Sequence, residues 1–171
     1  DVTSISKDLT HCFDEYTCVQ PEDFYDAYLR DKSYDADTYA FVVGCYTHLL
    51  ADVEWMGNVW RPFKHDEPEL AKRIETDPDF GHAFKRMEFF GHDFLYLHEN
   101  PDYASYKIIQ NIEKIPYSIN LLPEESLLNW LNTDVKTMYE DKAILEKVLK
   151  HDFPYLSRFD FQTWMDCAVG T

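Results

Sequence analysis

Glycine, basic residues and paired cysteines are all scarce in this chain, and each scarcity narrows what it can be. Only 5 glycines occur in 171 residues. Tight hairpins lean on glycine for positive φ, so a sandwich or barrel built from many hairpins is disfavoured. Lys and Arg number 16 against 32 Asp and Glu, for a formal net charge of -16. Such a surface repels phosphate backbones at long range, which sets nucleic acid and anionic membranes aside as partners. A phosphate ester survives as a substrate class, because a bound metal reverses the local field. The plain reading of the charge is a well-solvated surface. The four cysteines, Cys12, Cys18, Cys45 and Cys167, form no CxxC pair. Spacing alone does not support a Cys12–Cys18 disulfide, and Cys45 sits in an apolar run that reads as core. Reduced thiols and a cytoplasmic location are therefore expected. No apolar stretch is long enough for a transmembrane helix, and no secretory signal is expected. The Gly-rich phosphate loop, the G-x-S-x-G elbow and H-E-x-x-H are missing as well. The chain opens on Asp1 rather than Met, which leaves room for native residues ahead of it.

What is present is core material. Hydrophobic residues make up 45% and aromatics 16% of the chain, a folding composition. The length fits a single helical domain over residues 1–171. Helices are predicted between Pro, Asp and Asn punctuation. A short one falls around Lys7–Cys12, and Pro21-Glu22-Asp23 opens one to about Lys32. A central helix, capped by Asp35 or Asp37, is expected from Thr38 to about Asn58, ahead of a stop at Pro62. Its stripe of Phe41, Val42, Cys45, Tyr46, Leu49, Val53 and Met56, widened by Val43 and Leu50, predicts contact on several sides. Further helices are expected from Pro68, from Asp77-Pro78 to about Leu97 or Asn100, over 102–114, from Leu122-Pro123, over about 133–150, and after Asp160. No segment alternates cleanly as a strand. The fold class is all-α, a compact bundle-like arrangement.

The central helix carries the most informative constellation. His48 and Asp52 are four residues apart and leave the same helix face. Imidazole and carboxylate at this spacing suit one zinc ion, with ligand bonds of about 2.0–2.2 Å, or else a buried His–Asp hydrogen bond. Gly44, one turn earlier, suggests that something approaches the backbone there. A second cluster lies in Met87-Glu88-Phe89-Phe90-Gly91-His92-Asp93-Phe94, where Glu88 and His92 repeat the four-residue spacing. Asp93 points about 100° away from His92, so the three do not share one face. A carboxylate among phenylalanines needs a partner: a metal, or a neighbouring Arg, Lys or Tyr. His11 is a third candidate ligand and His82 a weaker one, whereas His65, His98 and His151 sit in charged contexts and read as surface. Trp55, Trp60 and Phe63 either line a pocket or close the core.

At these residues the sequence resembles a known family. Gly44-Cys45-Tyr46-Thr47-His48-Leu49-Leu50-Ala51-Asp52 is similar to the G-Y-x-x-H-L-x-x-D helix of zinc-dependent phospholipase C-like proteins, particularly their small bacterial branch. Lys7 to His11 matches that branch's upstream K-x-x-x-H element, Trp60-Arg61-Pro62-Phe63 its W-x-P-F-like segment, and His92-Asp93-Phe94 its aromatic-rich helix with an Asp. The likeness covers roughly residues 7–97. It implies an all-α fold with zinc between helices, a hydrolase acting on a phosphate ester (small molecule or lipid), and His11, His48, Asp52 and Asp93 as metal ligands. The family's N-terminal ligand and early Asp have no counterpart, and Phe89 stands where its later H-x-x-x-E would begin. The resemblance therefore implies one or two zinc ions. The alternative is a catalytically inactive helical relative that binds a ligand or partner. No catalytic side chain beyond the metal ligands is singled out.

Overall fold

The computed structural model describes residues 20–115 and 124–170, except for the side chains of 159 and 166–170. His11, the Lys7–Cys12 helix, Cys12, Cys18 and the helix start at Leu122-Pro123 lie outside these residues, as does the side chain of Cys167. The described residues form helices and connecting turns, with no strand among them, in line with the all-α expectation. No helix among them is long and apolar enough to cross a membrane.

The helices are α1 (Pro21–Tyr28), α2 (Ala36–Trp55), α3 (Arg61–Asp66), α4 (Pro68–Thr76), α5 (Pro78–Glu88), α6 (Phe90–Glu99), α7 (Ala104–Asn111), α8 (Glu124–Trp130), α9 (Lys136–Glu140), α10 (Lys142–Val148) and α11 (Arg158–Gly170). Proline at the first helical position starts α1, α4 and α5, where its missing N–H costs nothing. Aspartates supply caps. Asp77 accepts from the Phe80 amide at 3.1 Å, and Asp141 from the amides of Ala143 and Ile144 at 2.8 and 3.2 Å. Asp35 accepts from Thr38 N and Oγ1 at 2.8 and 3.0 Å, and these bonds hold its carboxyl below the usual range.

Three helix predictions need correction. Pro62 does not end the central helix. A wide π turn over Met56–Trp60 leads into α3, with Arg61 N–H bonding to the Met56 carbonyl five residues back. A proline ring collides with the carbonyl four residues earlier, and a widened turn relieves that clash. The helix expected from Asp77-Pro78 onward breaks at Phe89. The helix expected over 133–150 breaks at Asp141, whose side chain caps α10 instead of continuing α9.

The chain divides into two compact units. One takes in the described residues up to Glu54 and those from Ile112 to Val135. Its core is Phe24, Val42 and Leu49, with Tyr28, Leu29, Tyr34, Phe41, Cys45 and Tyr46 packed around them. Burial pushes the Cys45 thiol up to about 11, so it is an unreactive core group as expected. The stripe on α2 is covered less widely than predicted, since Leu50 and Val53 are 41% and 39% exposed.

The other unit takes in Trp55–Asn111 and the residues from Lys136 on. It has two buried clusters. Phe94, Leu95, Val148 and Phe153 pack with Met87, Met138, Tyr139, Ile144 and Leu145, while Phe63, Ala71 and Ile74 pack with Trp60, Leu70, Phe80 and Phe84. Helices α4 and α5 cross at Gly81, where an added Cβ would stand 2.3 Å from the Ile74 carbonyl oxygen. Only glycine permits that approach.

Candidate functional site

The first unit holds the His48–Asp52 pair. One turn of α2 separates them, and His48 Nε2 lies 3.6 Å from Asp52 Oδ2. That is too long for a hydrogen bond. The pair is not buried, since the side chains are 62% and 30% exposed. Two donors on one tetrahedral zinc, at about 2.0–2.1 Å each, stand about 3.3 Å apart. The observed separation is close to that bite, and neutral imidazole with carboxylate is a zinc donor set. Gly44 differs from expectation: nothing among the described residues comes within 4 Å of where its Cβ would be. The helix surface one turn before His48 is open instead of closely packed.

The second unit holds the other candidates, and there protein groups take up their polar atoms. Glu88 ends α5 and is 2% exposed, and His92 lies in the first turn of α6 and is 4% exposed. The break at Phe89 lets both face the segment 151–156. Glu88 Oε2 accepts from the amides of Tyr155 and Leu156 at 3.2 Å each, and Oε1 accepts from His151 Nε2. His92 Nε2–H donates to the Leu156 carbonyl at 2.8 Å, which fixes its tautomer. Its ring stacks on Phe161 at 4.4 Å and meets Phe153 at a tilt at 4.3 Å. Burial pulls the His92 pKa below its ordinary value, against the Leu156 carbonyl and the Glu88 charge, which favour the proton. Phe153 is held at φ 48, a left-handed conformation rare for a bulky residue. Gly91 makes room for it, because a Cβ there would stand 2.8 Å from the Phe153 ring. The close approach expected at Gly44 occurs instead at Gly91, in the first turn of α6.

Asp93 is half-buried, and its Oδ2 accepts from the Tyr139 hydroxyl at 2.7 Å. The partner is thus a tyrosine, one of the pairings the sequence left open. Burial raises the Asp93 carboxyl above its ordinary range, opposed by that hydrogen bond. The Tyr139 hydroxyl is raised too, by burial and then by the carboxylate beside it. His82 is exposed on α5, and His65 and His98 are exposed as expected. His151 is the exception: its side chain is only 24% exposed and is committed to Glu88. Sequence reasoning missed it because Glu88 lies 63 residues away and no local spacing encodes the contact. The same holds for Tyr139, 46 residues from Asp93.

Trp55, Trp60 and Phe63 join an aromatic cluster. Trp60 stacks on Phe63 at 5.4 Å, and Trp55 meets Phe89 and Trp164 edge-on at 5.0 and 5.1 Å. Of the three, Phe63 lines an open groove of about 420 Å³ together with Val59, Phe89, Tyr155 and Leu156. Among the described residues no three His, Cys, Asp or Glu side chains gather as a metal cluster. No family model, no curated protein and no solved structure matches the chain.

Proposed function

We propose that this chain is a zinc-dependent phosphoesterase-like hydrolase of the phospholipase C type, with its metal site on α2. One observation carries the proposal: His48 and Asp52, the first exposed and the second partly so, place imidazole and carboxylate 3.6 Å apart on one helix face. His48 and Asp52 would supply two ligands and His11 a third, the last lying outside the described residues. A bound zinc ion supplies a Lewis acid that makes water nucleophilic near neutral pH and offsets charge on a phosphate ester. The chain's own contribution is placement. α2 holds both donors one turn apart, and the open surface at Gly44 lets a substrate approach the backbone beside them. The excess of acidic residues makes the ion the source of attraction for an anionic ester.

The test is hydrolysis of bis(p-nitrophenyl) phosphate by the zinc-loaded chain, alongside His48→Ala/Asp52→Ala. The proposal expects turnover that a chelator abolishes, zinc restores and the double variant lacks. Turnover that survives in the variant would place the chemistry elsewhere.

A second reading has its own support. Glu88, His92 and Asp93 are engaged by Tyr155, Leu156, His151 and Tyr139, which favours a role in holding structure over ligating metal. On that reading the chain is a helical relative without activity that binds a ligand or partner. It predicts zinc binding without turnover, or neither.

A further inference from the structure

The groove in the second unit is preformed, and the buried ionisable residues beside it serve to hold its wall. Its apolar floor is Val59, Phe63, Phe89 and Leu156, with Tyr155 edge-on to Phe63 at 6.1 Å. The wall at Pro154, Tyr155 and Leu156 is fixed from behind. Glu88 takes two of its amides, His92 its Leu156 carbonyl, and Phe153 turns the chain through positive φ. Burying a carboxylate and an imidazole is costly unless each is fully bonded, and here both bond to the same short segment. A loop held so firmly beside an open apolar floor is a preorganised binding wall.

The rim decides what such a groove takes. The charged side chains lining it are Asp66, Glu67 and Asp160, all exposed and all acidic. Asp66 also meets His65 Nδ1 at 2.8 Å, and Asp160 accepts from the Ser157 hydroxyl at 2.6 Å. Two neighbouring basic side chains are turned to other acids, Lys64 to Glu75 and Arg158 to Glu99, each at 2.8 Å. Three carboxylates above an aromatic floor complement a cation carried on an apolar stem, as in arginine and lysine side chains. Small-molecule sites bury about 70–90% of their ligand. This groove, with Asp66, Glu67, Pro154, Tyr155 and Asp160 all exposed, covers one face of its occupant, as a peptide site does. We infer that the groove between the 58–67 segment and the 154–160 segment binds a basic, extended segment of a partner protein, with arginine or lysine at the rim and an aliphatic side chain on the Phe63 floor. The inference is independent of the zinc site.

The experiment is fluorescence anisotropy of a fluorescein-labelled peptide of alternating arginine and leucine, titrated with the full chain at about 0.15 M salt. Four results separate the sources of binding. Saturable binding that falls about tenfold in Asp66→Asn/Glu67→Gln, and stays within about twofold in Glu22→Gln/Asp23→Asn, supports the groove. The second variant removes the same charge from α1. Equal losses in both variants would assign binding to the net charge and overturn the inference. So would an absence of saturable binding, or spermine competing as well as unlabelled peptide, which would mark a site for small cations.

Discussion

At the scale of single residues, burial moves Asp93 and His92 of the second unit in opposite directions. Asp93 has one described donor, the Tyr139 hydroxyl at 2.7 Å, and burial raises its pKa. A carboxyl whose folded pKa is raised binds protons more readily in the folded state. Its contribution to stability is therefore fully present below its ordinary pKa near 3.8 and is lost as pH rises through the folded value. Tyr139→Phe removes the donor and leaves the carboxylate buried alone. Urea unfolding should show a loss of about 1–3 kcal/mol at neutral pH and a smaller one at pH 4. An equal loss at both values would mean that Asp93 does not feel the hydroxyl. His92 runs the other way. Its pKa lies below its ordinary 6.5, so the unfolded chain binds protons first, and stability falls as pH drops from 6.5 toward the folded value. With Glu88→Gln the Tyr155 and Leu156 amides keep an acceptor oxygen but lose its charge. Hydrogen exchange at those two amides should quicken about tenfold while the Phe24–Val42–Leu49 core stays protected. Unchanged exchange would show that the 154–156 wall is held by something else.

At the scale of elements, glycines and caps give the sharpest contrasts. Gly44 lies within α2 with no described neighbour at its Cβ position, whereas Gly81 and Gly91 face a carbonyl and an aromatic ring. Gly44→Ala should stabilise the chain by about 0.5–1 kcal/mol through helix propensity, while Gly91→Ala should destabilise it by about 1–3 kcal/mol. Gly81→Ala should cost more than Gly91→Ala, because a backbone carbonyl cannot swing aside as a ring can. Thermal unfolding of the three variants ranks them directly. Most helices were legible because periodicity and the prolines before 22, 69 and 79 are local signals. The breaks were not. Phe89 interrupts a good helical pattern because Glu88 and His92 are both drawn to residues more than 60 positions away. Asp141 interrupts another because an aspartate inside a helical pattern also serves as a cap. The His48–Asp52 pair was legible as a spacing, and its exposure was not, since the pattern fits a buried pair equally well.

At the scale of the whole molecule, 32 acidic against 16 basic residues leave a surface that favours cations. The two proposed sites use that excess differently. On α2 a carboxylate and an imidazole would hold a metal that then attracts an anionic ester. Along the groove of the second unit, carboxylates would meet a basic peptide directly. The all-α class follows from composition and punctuation alone, but activity depends on ligand residues meeting in space, which a one-dimensional pattern does not specify. Metal binding by α2 is the property from which the proposed activity follows. The most direct measurement is the zinc content of the full untagged chain and of His48→Ala/Asp52→Ala, by elemental analysis after zinc loading and desalting. The account predicts about one or two zinc ions retained per chain and none in the variant. Wild type stripped of zinc by desalting, or a variant that keeps as much as wild type, would contradict it.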